Sequence, residues 1–426
     1  MTRTLPGFPT KNRPRPHCPP KPRLADIPAM PRAGDAIIVS AIALLCIGLI
    51  MVSSADMAVR DPGDPGITLQ SVLFSRTTGL MIASLLFMGV AAYIPLTRIL
   101  ASPHRTWWIP LAWPVLVVAL LLVYVPGIGH EVNGSARWVK LPGFTAQPSE
   151  LAKWGLLFVM AWYGAKFAGN LHRFVKGLVP ALVLLTIPTV LIAKEDLGTG
   201  VLIAGVGVLI LIAAGAKLWH FLAMTPLMVL ALVVGIITSP YRIRRLVAFA
   251  DPYSQPADAG YHIIQSLVAI ANGQGFGRGL GAGLQKFGYL PEDRTDFLFA
   301  VLCEELGIAG AALVIALYAT LLIAAYRIAS RQTNMLLKLT ALGVTFTVGA
   351  QALINLTVVT GLAPTKGIAL PLLSSGGTGW ILTAACLGLL VAMDRSTPRD
   401  PEGQPIVPGE IEQPTPESGT RAPALA

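Results

Sequence analysis

The chain has 426 residues, 54% of them hydrophobic and only 13% charged, with a mean hydropathy of +0.65. Ordinary soluble domains carry about 25% charge, so half that fraction over such a length excludes both a solvated globular protein and a disordered one. The net charge of +10 is carried largely by tails and short loops, the pattern of topology-setting charge and not of nucleic-acid binding.

Residues 1–34 are rich in Pro and basic side chains, with Asp26 the single acid among Arg3, Lys11, Arg13, Arg15, Lys21, Arg23 and Arg32. No apolar run begins within about thirty residues, so this is no signal peptide and reads as a disordered cytoplasmic arm. Residues 396–426, rich in Pro, Glu and Gly, read as a disordered tail. Between them lie ten apolar stretches near the ~20 residues that a spanning helix needs: 36–55, 77–96, 107–126, 149–168, 176–193, 198–215, 218–238, 297–326, 336–360 and 369–393. The expected architecture is an all-α polytopic membrane domain over 35–395, with a large extracytoplasmic loop at 239–295 between the seventh and eighth helices. Basic residues fall in the even-numbered gaps: Arg98 and Arg105; Lys166, Arg173 and Lys176; Lys217; Arg327, Arg331 and Lys338. That bias puts both termini in the cytoplasm. Arg137 and Lys140 in gap three, and Arg242, Arg244, Arg245, Arg278 and Lys286 in gap seven, are basic residues kept outside, where something anionic is handled.

Polar motifs crowd the outer gaps. Gap three and the following helix read Asn133-Gly-Ser-Ala-Arg137-Trp138 and Gln147-Pro-Ser-Glu150-Leu-Ala-Lys153. Helix-start chemistry accounts for Ser149 as an N-cap and Glu150 in the first turn, but not for an ion pair entering the bilayer, which points to a polar pocket. Gap five supplies Lys194-Glu195-Asp196-Leu-Gly198-Thr199. Gap seven holds Gly273-Gln-Gly-Phe-Gly-Arg278-Gly-Leu-Gly-Ala-Gly283, six glycines at two-residue spacing. No phosphate-loop pattern fits them, and a flexible, close-packed loop over the membrane surface is expected. In Leu290-Pro-Glu292-Asp293-Arg294-Thr295-Asp296, Thr295 suits an N-cap with Asp296 in the first turn. Asp296 also falls at the outer mouth of the eighth stretch, where desolvation can raise a carboxylate toward a base's working range. Glu304 and Glu305 lie two to three turns deeper and need partners. Gln351 and Asn355, four residues apart, suit interhelical hydrogen bonding. Gly361-Leu-Ala-Pro-Thr365-Lys366-Gly, continuing to Ser374-Ser375-Gly-Gly377, is a non-helical segment able to line a cavity. No metal-ligand spacing is evident.

Taken in order with Gly48-Leu-Ile-Met-Val-Ser-Ser54, these segments resemble the SEDS family (shape, elongation, division and sporulation proteins) over nearly all of 36–393. The Pro364-Thr-Lys-Gly367 version of the last motif is closer to the division branch than to the elongation branch. The resemblance implies a peptidoglycan glycosyltransferase that polymerises lipid II on the outer face of the cytoplasmic (inner) membrane, with enrichment at the division site. It implies a single-pass class B penicillin-binding protein transpeptidase and other division proteins as partners. The family's essential aspartate falls on Asp296. Arg294 stands where the family often has His, and Ser375 where it commonly has Tyr. Transfer to a sugar hydroxyl needs one general base, Asp296, because diphosphate leaves without a proton and needs positive charge instead. Arg137, Lys153 and Lys366 are the candidate cations, with Glu150, Asp196, Ser374 and Ser375 as further substrate-binding groups. A divalent ion (Mg or Mn) could substitute for some of the cations. Glu304, Glu305, Gln351 and Asn355 would shape the pocket. The rival reading is a lipid II flippase, in which Glu304, Lys153 and Asn355 line a continuous polar route.

Overall fold

A computed structural model describes residues 32–56, 69–99, 106–127, 129–132, 135–141, 144–375 and 377–397. The expected arm and tail lie outside the described residues, apart from residues 32–34 and 396–397. The helices, in chain order, are α1 Ala33–Asp56, α2 Leu69–Leu73, α3 Arg76–Ala92, α4 Leu96–Ile99, α5 Ala112–Leu122, α6 Pro148–Lys166, α7 Val179–Glu195, α8 Leu197–Ala213, α9 Leu218–Ile237, α10 Pro240–Ala250, α11 Tyr261–Gly273, α12 Leu298–Arg331, α13 Met335–Val359 and α14 Thr378–Ser396. Six spans (Ala33–Asp56, Phe174–Glu195, Leu218–Ile237, Leu298–Arg331, Met335–Val359 and Thr378–Ser396) are long and apolar enough to cross a membrane, and Arg76–Ala92, Ile109–Leu122 and Leu197–Ala213 are shorter apolar helices. Each of the ten apolar stretches in the sequence contains one helix. The chain is therefore a multi-pass, helical membrane protein.

Apolar side chains sort these helices. α13 and α14 bury 61% of their most apolar windows and α9 only 6%. With apolar residues all round and almost no protein against them, α9 has the composition of a lipid-facing helix. Its far end is fastened through Arg242, which opens α10 and donates to the carbonyls of Gly235 (2.6 Å), Ala193 (2.9 Å) and Lys194 (2.8 Å). One guanidinium thereby serves the unsatisfied C-terminal carbonyls of both α7 and α9. α1 also packs closely against the non-helical chain ahead of α14: a Cβ on Gly48 would lie 2.5 Å from the Leu373 carbonyl.

Several local expectations change. Gap three holds a three-stranded antiparallel sheet, β1 Gly129–Val132, β2 Ser135–Leu141 and β3 Phe144–Ala146, a small β addition to an otherwise helical chain. α6 starts at Pro148 with Gln147 as its N-cap residue, so Ser149 is not the cap; proline needs no N–H partner in the first turn. α12 starts at Leu298 after Phe297, with no side-chain cap. Thr295 and Asp296 therefore precede the helix in a tight turn. In the tenth apolar stretch α14 starts only at Thr378, because 368–375 packs inside the bundle instead of coiling. Gap seven is not an open loop: it contains α10 and α11, and Ser266 of α11 donates to the Val359 carbonyl at the end of α13 (2.7 Å).

The glycine-rich segment is held against α12 through its backbone, with Phe276, Arg278 and Leu280 left exposed. α12 kinks at Gly307 (φ 65°), where a Cβ would fall 2.3 Å from the Gly277 nitrogen. Across that kink the amides of Arg278 and Gly279 donate to the carbonyls of Glu304 and Glu305, each at 3.0 Å. The side chain of Glu305 accepts from Ser54 Oγ (2.8 Å), Lys286 Nζ (2.7 Å) and the Gly281 amide (3.0 Å), and Glu304 accepts from the Gln285 amide (3.0 Å). Lys286 also donates to Ser54 Oγ (2.8 Å) and the Gly281 carbonyl (2.9 Å). Both partners of the Lys286–Glu305 pair are fully buried. Buried charges persist only when paired and hydrogen-bonded. The two acids are thus the anchor of the 273–290 loop, and they fix the turn that follows it.

Candidate active site

That turn, 290–297, winds around Glu292, whose carbonyl accepts from the amides of Thr295 and Phe297 (both 3.2 Å) and whose Oε2 accepts from Thr295 Oγ1 (2.9 Å). Asp296 lies half-buried at its end. Asn355 of α13, itself buried, donates from Nδ2 to the Asp296 carbonyl (2.7 Å) and to the Ile368 carbonyl (2.8 Å). Because both amide protons go to carbonyls, the orientation of the Asn355 side chain is fixed. It staples the Asp296 peptide to the 361–377 segment.

Arg294 pairs with Asp56 at the end of α1 (2.8 Å), and its carbonyl accepts from the Ser375 amide (3.0 Å). Arg294, two residues from Asp296, thus has a carboxylate partner on α1, although a pair this exposed adds little stability. Burial pushes the Asp293 carboxyl up to about 6, against the opposing pull of Arg294.

The 361–377 segment is pinned along its length. The Thr365 carbonyl accepts from Arg245 Nη1 of α10 (3.0 Å). Lys366, half-buried, lies by Asp196 and Gly198 at the α7–α8 junction: a Cβ on Gly198 would come within 3.2 Å of Lys366 Cδ. Burial lowers the Lys366 pKa, with Asp196 acting in the opposite direction. Asp196 caps α8, accepting from Thr199 N (3.1 Å) and Oγ1 (3.0 Å). Tyr318 donates to the Pro371 carbonyl, Trp380 Nε1 to the Ser374 carbonyl (2.6 Å) and the Leu370 amide to Ser374 Oγ (3.1 Å). Ser374 is buried and its hydroxyl is used inside the loop, whereas Ser375 is half-buried beside Arg294.

Lys153 is buried and donates to both Glu150 oxygens (3.0 and 2.8 Å) and to Gln351 Oε1 (2.9 Å). Gln351 Nε2 reaches the Ala369 carbonyl (2.8 Å). The chain Glu150–Lys153–Gln351 therefore supports the 361–377 segment from beneath. Below Lys153 a small cavity of about 10 Å³ is lined by Leu156, Met160, Leu185, Ile203 and Val206, with Thr347 as a further polar wall residue. Arg137 falls on β2, and its side chain lies outside the described residues.

Asp296, Asp196, Lys366 and Ser375 thus gather at one end of the bundle. Glu304 and Glu305 serve the neighbouring loop, and Gln351 and Asn355 join helix to segment. Two further residues belong to the same rim: His262, which the sequence reading passed over, and Arg245, which it named only among the basic residues of gap seven. His262 of α11 stacks on Phe297, next to Asp296, with ring centroids 5.8 Å apart, and its pKa is lowered by burial and by Arg245, while Glu292 raises it. Arg245 itself links α10 to Thr365. Its sequence signal is spacing: Arg242 and Arg245 are three apart and share a helix face, which Arg244 does not.

A family model for FtsW, RodA and SpoVE, described as cell cycle protein, matches residues 35–399. Among curated relatives, a probable peptidoglycan glycosyltransferase FtsW from Geobacter sp. (strain M18) is 37% identical over 358 residues, covering 83% of this chain and 95% of the relative. One of the same description from Thioalkalivibrio sulfidiphilus is 40% identical, covering 84% and 88%, and stage V sporulation protein E of Bacillus subtilis is 35% identical, covering 84% and 96%. A chain in a structure described as a peptidoglycan synthase complex that coordinates polymerization and crosslinking aligns with TM-score 0.66 and 27% identity, over 84% of this chain and 96% of that one. Rod shape determining protein RodA of Thermus thermophilus has the same fold, with TM-score 0.56, 24% identity and coverage of 85% and 97%. This chain belongs to the FtsW/RodA/SpoVE family of cell cycle proteins.

Proposed function

We propose that the chain is a peptidoglycan glycosyltransferase that polymerises lipid II at the outer face of the cytoplasmic membrane, at the division septum. The observation that carries this reading is the stapling of the Asp296 turn, through Asn355, to the segment bearing Lys366. That staple ties the backbone of the Asp296 turn to the segment that bears Lys366, which supports a carboxylate and a cation acting on one substrate. In the reaction the acceptor sugar 4-hydroxyl gives its proton to the Asp296 carboxylate as its oxygen bonds to the anomeric carbon. The bond from that carbon to the diphosphate oxygen breaks, and its electron pair leaves with the diphosphate. Lys366 meets the charge that develops there. Among the described residues no three His, Cys, Asp or Glu side chains gather to hold an ion.

The proposed topology has ten crossings, cytoplasmic termini and 239–295 outside. A class B penicillin-binding protein is the proposed partner, in line with the synthase complex that its structural neighbour's description names. Against a flippase stands the largely apolar lining beneath Lys153, where a headgroup route would need a run of polar groups. The test is polymerisation of purified lipid II by the purified chain, with and without its cognate transpeptidase. Glycan strands are the expected product, and transport without polymerisation would overturn the reading.

A further inference from the structure

The six basic side chains of 239–295 have separate employment, Arg294 being paired with Asp56. Arg242 donates to three helix-end carbonyls. Lys286 is buried on Glu305. Arg278 is exposed on the glycine-rich loop, and Arg244 is exposed on the other face of α10. Arg245 is half-buried at the rim. One of its Nη atoms donates to the Thr365 carbonyl (3.0 Å), and its guanidinium stacks over the Tyr241 ring (4.4 Å). A guanidinium has five N–H donors in a planar fork, so this contact orients the group without exhausting it.

We propose that Arg245 binds the diphosphate of the lipid donor together with Lys366, as the guanidinium half of a two-cation cradle for the leaving group. The inference rests on the glycosyl-transfer reading above. Thr365 and Lys366 are consecutive, so the hydrogen bond to Thr365 sets the guanidinium beside the ammonium-bearing residue. On its other side Arg245 acts electrostatically on His262, whose ring stacks on Phe297, the neighbour of Asp296. Guanidinium, ammonium and base therefore follow one rim. Lys153, the other described cation considered for this task, is already held by Glu150 and Gln351, which leaves a second positive charge to be found elsewhere. A diphosphate offers paired oxygens at the spacing that Arg grips bidentately and Lys does not. Burial also disfavours the Lys366 ammonium, with Asp196 opposing that effect, and an arriving anion favours the charged form further.

The test uses the purified full-length chain and two probes, a polyprenyl diphosphate and the matching polyprenyl monophosphate, with affinity read by competition against a fluorescent diphosphate lipid. Arg245→Gln should weaken diphosphate binding about tenfold or more and monophosphate binding by about threefold or less, since charge-assisted, bidentate hydrogen bonds are the ones removed. Arg245→Lys, which keeps the charge and a donor for Thr365, should fall between wild type and Arg245→Gln for the diphosphate. Arg244→Gln carries the same charge change on the exposed face and should match wild type. Unchanged diphosphate affinity in Arg245→Gln, or equal losses for both probes, overturns the proposal. If Arg245→Gln fails to fold, Arg245→Lys decides by the same comparison of probes. A wild-type chain that binds diphosphate yet makes no glycan defeats the glycosyl-transfer reading instead, and a polymerising wild type with an unaffected Arg245→Gln defeats only the cradle.

Discussion

Asp293 and Asp296 lie three residues apart on one turn, and their surroundings separate them. Asp296 is tied through its own carbonyl to Asn355. Replacing it by Asn keeps shape and removes the proton acceptor, so lipid II polymerisation should fall 10²–10⁴-fold, about 3–5 kcal/mol of transition-state stabilisation, with unfolding temperature nearly unchanged. Wild-type rates in Asp296→Asn would remove it as the base. Asp293 is the matched control, and Asp293→Asn should keep polymerising. Its effect is on stability: its carboxyl titrates near 6 in the fold against an ordinary value of 3.8, so the folded state holds the proton more tightly. The linked stabilisation is complete below about pH 4 and is lost as pH rises through about 6. Unfolding temperatures of wild type minus Asp293→Asn, measured from pH 4 to 7, should decline across that window; a flat difference would mean that the site is wetter than its burial implies. Asp296 was legible as a residue because a carboxylate ahead of an apolar stretch is a local pattern. The role of Arg294 was not, because its partner Asp56 is far away in sequence.

At the scale of elements, the 273–290 loop depends on α12 more than on its own sequence. Lys286→Met leaves Glu305 buried without its cation, and removal of one partner of a buried pair costs about 3–5 kcal/mol. Limited proteolysis should then cut within 273–290, where the wild type resists. Adding Glu305→Gln to Lys286→Met should restore part of the lost stability, since the uncompensated charge is gone; no recovery would mean that packing and not charge holds the loop. Gly307→Ala should have a similar outcome through shape, with a Cβ 2.3 Å from the Gly277 nitrogen. The glycine spacing announced close packing in the sequence, yet the surface against which it packs is a kink that hydropathy does not encode. In the same way the apolar run at 369–377 has the composition of a helix start, and its buried, non-helical course is decided by Tyr318, Trp380 and Gly48 on other helices.

For the whole molecule, the helical, multi-pass class and the order of the apolar stretches were legible because length and hydropathy are properties of each segment alone. Orientation is a single binary choice, since the helix ends are tied into two groups. On one side the Gly34 amide donates to Asp394 (3.1 Å), Gln332 Nε2 to Thr397 Oγ1 (3.2 Å), and Arg395 stacks on Tyr93 (4.6 Å), which joins the start of α1 to the ends of α3, α12 and α14. On the other side stand Asp56, Asp196, Asp296, Asn355 and Lys366. Whichever side one member occupies, its group shares. The Lys/Arg excess in the even gaps predicts that the first group is cytoplasmic, and the proposed site would then face outward, the side that the proposed reaction requires. With Cys18 and Cys46 replaced by serine, Ala257→Cys, exposed between α10 and α11, should react in intact cells with a membrane-impermeant thiol reagent. Arg331→Cys, at the end of α12, should react only after permeabilisation. The opposite labelling pattern would turn the entire set of helix ends over at once and put the Asp296 rim in the cytoplasm, on the wrong side for the proposed reaction.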